Sequence, residues 1–286
     1  MKYRHSFHAG NFADVHKHVT LLALLAALKR KDKGFLYLDT HAGRGSYDLS
    51  SPSAESAAGI GRFAGAVHRA PELREFAARL GRFRSLPGRR YAYAGSALLA
   101  ALELRPQDRA VFIEWLGPEA RALGDALEAL ARERDAGAPK LRLERGDGFE
   151  RLRAFLPPAE RRALTFIDPP YEESEQDFAR LTAALAEGLR RFPTGVFAAW
   201  YPVKEQRRVS AWQASSVQAL PAPILVSELW VHARDSRVGL NGSGLLIANP
   251  PYRTLERMQE WLPELKSQLA SDPAAGAEAR MLAQSA

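Results

Sequence analysis

Seven short apolar runs, separated by longer amphipathic stretches, constrain this chain more than any other feature. The runs are Phe35–Asp39, Ala110–Glu114, Leu141–Arg145, Ala163–Ile167, Gly195–Tyr201, Pro223–Trp230 and Ser243–Asn249. They are rich in β-branched and aromatic residues and bounded by turn residues, as strands are. Several are apolar at nearly every position, which marks strands covered on both faces. Helical periodicity fills the gaps at Asp14–Lys29, Pro118–Glu133, Glu175–Arg191 and Arg253–Leu269. This alternation predicts an α/β fold with a mostly parallel sheet and helices on both sides. With 286 residues the chain can bury such a core unaided. It has no cysteine, which excludes disulfides, thiolate nucleophiles, Cys-ligated zinc and iron–sulfur clusters.

The longest apolar run, Val19 to Leu28, is about half a bilayer span. Charged residues crowd its front and Lys29, Arg30 and Lys31 follow it, so it reads as a buried helix of a cytoplasmic protein, not a signal peptide. The β–α alternation breaks between residues 47 and 94. That stretch reads as a basic helical insertion in an α/β domain formed by residues 1–46 and 95–270, with residues 271–286 as a frayed tail. Of the net charge of +7, the stretch from Gly61 to Tyr91 carries most: eight arginines (62, 69, 74, 79, 82, 84, 89 and 90) face only Glu72 and Glu75. A local arginine excess suits the phosphates of a nucleic acid, and equally a solvated helix face.

In an open α/β sheet, ligands bind beyond the carboxyl ends of the strands. The first four runs each deliver an acid there: Asp39, Glu114, Asp147 and Asp168. Glu114 suits the diol of a ribose, and Asp147 the amino group of an adenine. Gly43 and Gly45 let backbone approach a ligand closely. Asp39-Thr-His-Ala-Gly-Arg-Gly lacks the glycine pattern that cradles a pyrophosphate, which disfavours a nicotinamide cofactor and suits S-adenosylmethionine. Each acid alone is equally at home as a helix cap or turn.

The most specific string is Asp168-Pro169-Pro170-Tyr171. Two successive prolines remove two amide donors and fix φ, leaving carbonyls free to point into a cleft. A carboxylate beside a free carbonyl makes a pair of acceptors for an exocyclic amine, and the tyrosine offers a stacking face for a base. Transfer of a group to the N6 amine of adenine needs this arrangement, because that lone pair is delocalised and two acceptors draw it towards attack. A second copy, Asn249-Pro250-Pro251-Tyr252, also follows an apolar run. Five of the seven histidines fall within the first 41 residues, but His16 and His18, two apart on a helix, face different ways. A metal is not expected.

At these residues the chain resembles class I S-adenosylmethionine-dependent methyltransferases. The Asp-Pro-Pro-Tyr string resembles their branch acting on adenine N6. The strings Tyr3–Val15, Phe35–Gly43, Gly95-Ser96, Gly146–Phe149 and Trp200-Tyr201-Pro202 resemble the bacterial 23S ribosomal RNA adenine-N6 methyltransferases of RlmJ type. The resemblance implies a Rossmann-like, seven-stranded, mostly parallel sheet whose last strand is antiparallel. That places Asn249–Tyr252 on the rim away from the cofactor. It implies S-adenosylmethionine bound by His18, His41, Ser96, Glu114, Asp147, Gly148 and Asp168. It makes Asp168 the catalytic residue and puts Tyr3, Pro169 and Tyr171 on the substrate side, with 23S ribosomal RNA as partner. Two departures stand out: Trp115-Leu116 follow Glu114 where the family tends to carry His-Pro, and Arg44 replaces a small residue. The competing readings are a DNA adenine-N6 methyltransferase and a non-catalytic RNA-binding protein of ribosome assembly.

Overall fold

The computed structural model describes residues 8–133, 137–171, 174–234, 236 and 239–283. In chain order these form α1 (Phe12–Lys29), β1 (Leu36–Asp39), β2 (Ser46–Asp48), α2 (Ala54–Ser56), α3 (Arg62–Ala64), α4 (Pro71–Ser85), β3 (Ala92–Ala94) and α5 (Ser96–Glu103). There follow β4 (Arg109–Glu114), α6 (Gly117–Arg132), β5 (Lys140–Arg145), α7 (Gly148–Arg151), β6 (Ala163–Ile167), α8 (Ser174–Arg191), β7 (Val196–Val203) and α9 (Gln206–Ala219). The chain ends with β8 (Ile224–Trp230), β9 (Gly242–Ala248), α10 (Thr254–Leu269) and β10 (Gly276–Leu282).

One eight-stranded sheet runs β10-β8-β9-β7-β6-β1-β4-β5. From β5 to β7 every neighbouring pair is parallel, while β9 is antiparallel to both β7 and β8. This is the Rossmann-like class I methyltransferase arrangement with one strand more than the seven expected. The extra strand comes from the stretch expected to be a frayed tail: β10 pairs antiparallel with β8 from Gly276↔Trp230 to Leu282↔Ile224. Its small side chains hide it in the sequence, yet they fit the place. A Cβ on Gly276 would stand 2.2 Å from the Trp230 ring.

Side chains alternate between two cores, as period-two strands require. Tyr37, Phe112, Leu164 and Phe166 face one core with α1, α4, α5 and α10. Leu36, Leu38, Val111, Ile113 and Ile167 face the other with α8 and α9. The helix α1 is buried over almost its whole length. No helix among the described residues is long and apolar enough to cross a membrane.

The interrupting segment is bracketed by a separate two-stranded ribbon, β2 with β3. Its Ile60, Phe63, Leu73, Phe76, Leu80 and Phe83 share the core of α1 and α10. Glu264 of α10 accepts from the amides of Arg69 and Ala70 at 2.7 and 2.9 Å. Several of its arginines serve the fold. Arg62 donates to the carbonyls ending α10, Arg79 pairs with Glu75 and Glu103, Arg84 donates to the Ala92 carbonyl, and Arg257 of α10 meets Glu72.

Candidate active site

The strand order reverses at β1, whose neighbours are β4 on one side and β6 on the other. The loops leaving β1 and β6 diverge there and open a crevice at the carboxyl rim. Asp39 ends β1 fully buried, accepting from the hydroxyls of Tyr37 (2.9 Å) and Ser96 (2.7 Å). Burial pushes its carboxyl up to about 6, against the pull of those two donors. The loop after it turns through Gly43, whose φ of +62° belongs to the left-handed region that glycine favours.

Glu114 ends β4 and is held by backbone: Oε2 accepts from the Gly43 amide at 2.9 Å and Oε1 from Leu116 at 2.7 Å. The amide of Trp115 faces the same carboxylate. Burial raises this carboxyl above its ordinary range, opposed by the same amides. Asp147 caps α7, its Oδ1 accepting from Phe149 at 2.9 Å, and its Oδ2 pairs with Arg180 at 2.9 Å. Each oxygen of its carboxylate thus has a partner within the protein. Gly148 allows α7 to approach the β1 loop, since a Cβ there would lie 1.9 Å from the Thr40 carbonyl oxygen. His41 stands half-buried, with Nδ1 at 2.8 Å from the Thr40 hydroxyl and its ring edge-on to Phe149. Burial lowers its imidazole to about 4. His18 is enclosed, its Nδ1 2.7 Å from the Tyr93 hydroxyl.

Asp168 follows β6, and its Oδ2 accepts from the Lys17 ammonium at 2.5 Å. Lys17 is itself buried and also meets Asp14 at 2.9 Å, while its Nζ sits 5.2 Å from the centre of the Trp200 ring. Burial alone would lower the lysine; the two carboxylates outweigh it and hold it well above the usual lysine range. Tyr171 donates its hydroxyl to the Trp200 carbonyl at 2.6 Å, and its ring packs on Phe178 and Trp200. Burial raises that phenol well above its ordinary value. Pro169 is buried and Pro170 exposed.

The carboxyl rim therefore carries Asp39, His41, Ser96, Glu114, Asp147, Gly148, Asp168, Pro169 and Tyr171, while His18 is buried on α1 beside Tyr93. Tyr3 lies outside the described residues. Asn249 sits on the opposite rim, where its amide donates to the carbonyls of Pro193 and Gly195 at 2.8 Å each and ties down a loop. The residue missed in the sequence is Lys17. The available signal was an Asp14/Lys17 pair three apart on a helix otherwise too apolar for exposed charge.

The donor set fits an adenosyl cofactor. Glu114 presents acceptors for a diol beside the bare backbone of Gly43, and the described loops hold no pyrophosphate-binding glycine pattern. The chain is 39% identical over 277 residues to ribosomal RNA large subunit methyltransferase J of Escherichia coli, covering 94% of each chain. It is 36% identical over 280 residues to the protein of that name from Haemophilus influenzae, covering 95% of each. A crystal structure of a Legionella pneumophila protein superposes with a TM-score of 0.81 at 31% identity, covering 96% of this chain and 98% of that one. Residues 32–281 match the family described as ribosomal RNA large subunit methyltransferase D, RlmJ, and the chain belongs to that family.

Proposed function

We propose that this protein methylates the N6 amine of an adenine in 23S ribosomal RNA, with S-adenosylmethionine as methyl donor. The observation that carries the reading is Asp168, fixed by buried Lys17 through one oxygen at the strand-reversal crevice. When bound, S-adenosylmethionine supplies an electrophilic methyl group, and Glu114, Ser96, His41, Gly148 and Asp168 are the residues that would hold it, with His18 buried beside Tyr93. Asp147 and Tyr171 also have partners within the fold: Asp147 caps α7, and Tyr171 builds a wall with Trp200.

The chain's own residues do the rest by positioning. Asp168 Oδ1 and the Pro169 carbonyl accept no hydrogen bond from a described residue, so both are available to the two hydrogens of an exocyclic amine. Holding both hydrogens turns the nitrogen lone pair out of the ring plane and towards the methyl group. As the nitrogen is alkylated its N–H acidifies, and Asp168 or a water takes the proton. Lys17, locked between Asp14 and Asp168, fixes the carboxylate's direction, so little reorganisation is needed at the moment of reaction. A paired base cannot reach a carboxylate this deep, so the target adenine is unpaired or flipped out.

The test is methyl transfer from labelled S-adenosylmethionine to unmodified 23S ribosomal RNA, with duplex DNA in parallel and products digested to nucleosides. N6-methyladenosine from RNA alone is expected, reduced at least about a hundredfold in Asp168→Ala. Label in DNA overturns the substrate assignment. Full activity in Asp168→Ala overturns the catalytic one.

A further inference from the structure

The catalytic reading leaves the second Asn-Pro-Pro-Tyr string unused. Asn249 ties its loop to the fold, but Tyr252 is left 84% exposed. Topology gives it company. Because β9 is antiparallel to β7, the loop after β9 emerges on the amino rim, where the chain also enters β1 and β6. The entry to β1 carries Arg30, Lys31 and Lys33, and the entry to β6 carries Arg161 and Arg162. Arg162 donates to the carbonyls of Leu28 (2.6 Å) and Lys33, which seats one entry against the other. Arg30 and Tyr252 stand at the same cleft between α1 and α10. The amino rim is thus one surface of Arg30, Lys31, Lys33, Arg161, Tyr252 and Arg253, all exposed. None of its five cations has an acidic partner among the described residues, and Asp32, the acid of the first loop, acts on Arg105. Two of them are held at a backbone cost. Arg161 has φ +53° and Arg253 φ +62°, the left-handed region where glycine or asparagine sits more easily. Strained backbone and uncompensated charge collect where a ligand is met.

We propose that this surface is a second contact for the RNA substrate, on the rim opposite the crevice: its cations meet phosphates, and Tyr252 stacks on an unpaired base. The proposal rests on the reading of RNA as the substrate. The surface suits a polyanion and not a small anion. The cleft beside Tyr252 is lined by Ala23, Ala27, Met258 and Trp261, and with a volume of about 10 Å³ it holds no more than a water. Nothing there encloses an isolated phosphate. A nucleic acid instead brings repeated charges and flat bases, and an exposed phenol ring among basic side chains answers both. An RNA that presents its adenine to Asp168 can reach this far, since the five residues of β6 separate Arg161 from Asp168 by roughly 17 Å. Phosphate contacts on this rim would fix how the RNA lies on the protein, and the crevice alone would read the base.

The experiment is binding of 23S ribosomal RNA across a range of salt to wild type, Tyr252→Ala, Tyr252→Trp, and Arg30→Gln, Lys31→Gln and Lys33→Gln combined. Affinity for S-adenosylhomocysteine, which cannot react, and unfolding temperature are measured beside it. We expect Tyr252→Ala to weaken RNA binding at least about fivefold and Tyr252→Trp to retain it, since base stacking tolerates any aromatic ring. The triple variant should flatten the slope of log affinity against log salt by about two. Every variant should bind S-adenosylhomocysteine as wild type does and, at saturating RNA, methylate at the wild-type rate. Arg161→Asn with Arg253→Asn separates strain kept for RNA from strain kept for the fold: the unfolding temperature should hold or rise while RNA affinity falls. Unchanged affinity and slope in these variants overturn the proposal while leaving RNA as the substrate. So does binding of wild type to phosphatidylglycerol vesicles that the triple variant loses with its RNA affinity intact, which assigns the surface to a membrane. A wild type that binds no RNA overturns the substrate reading and the proposal with it.

Discussion

At the residue scale the site is governed by charges removed from water. Lys17 between Asp14 and Asp168 is tolerable because each charge has a partner within hydrogen-bond distance. One residue earlier on the same helix, His16 shows the opposite solution. Its ring is wholly buried between the hydroxyls of Ser243 and Ser227, both at 3.0 Å, with Trp261 beside it and no carboxylate among those partners. Burial lowers this imidazole from 6.5 to about 3. The unfolded chain therefore binds a proton at His16 that the native state refuses, and stability drains away as pH falls below 6.5. The loss is about 1.4 kcal/mol per pH unit for one such group. Asp39 acts in the opposite sense: its native carboxyl is raised to about 6, so between about 6 and 4 the native state holds the extra proton and gains as pH falls. Urea unfolding of wild type and His16→Asn from pH 7 to 4 isolates the histidine. The stability difference between them should shift in favour of the variant by about 1.4 kcal/mol for each unit below 6.5; a constant difference shows that His16 keeps an ordinary pKa. The acids of the rim were legible in the sequence because strand ends can be read. The partners of Lys17 and His16, 151 and 227 residues away along the chain, could not be.

At the element scale, the strands covered on both faces announced themselves through continuous apolar character, and the four longest helices through their period. Several elements did not, the short β2, β3 and α7 among them. The helix α5 is eight residues long, and α9, rich in serine and glutamine, has too weak an apolar stripe to separate it from a loop. The strand β10 is built of Gly, Ala, Glu and Arg around Met281. The contact between α7 and the β1 loop gives a sharp test of element packing. Gly148→Ala forces a methyl against the Thr40 carbonyl and should destabilise the protein by about 1–3 kcal/mol. S-adenosylhomocysteine affinity should fall with it. Gly81→Ala, in the exposed interior of α4 with nothing within 4 Å of the new methyl, should instead stabilise by about 0.5–1 kcal/mol. Equal effects of the two substitutions in denaturant titrations would show that the α7 contact yields.

Across the whole molecule, the basic segment divides into two uses. Arg62, Arg74, Arg79 and Arg84 hold carbonyls and carboxylates of the protein itself. Arg82 and Arg90 are exposed and carry no acidic partner among the described residues, and Arg90 lies over the ring of Tyr91, itself half in water. If these grip RNA phosphates, binding weakens with salt, and the slope of log affinity against log salt falls by about 0.7 for each contact removed. Arg82→Gln with Arg90→Gln should flatten the slope by about 1.4. Arg132→Gln, whose side chain already pairs with Glu128 on α6, should leave it unchanged. The charge count in the sequence could not make this division, because it depends on which arginines meet backbone across the fold.

The position of α1 also shapes how the molecule comes into being. The helix is made early, is sheathed in leucine, and carries a lysine whose second carboxylate belongs to a strand made much later. Its serine partners arrive later still, on the antiparallel strands. During synthesis this helix must wait, greasy and half-neutralised, for most of the sheet to emerge. Such late closure of distant contacts slows folding and leaves the nascent chain prone to stick to its neighbours. Lys17 can be seated beside Asp168 only after β6 has emerged, so a chain arrested before that step lacks the ion pair that fixes the carboxylate of the crevice.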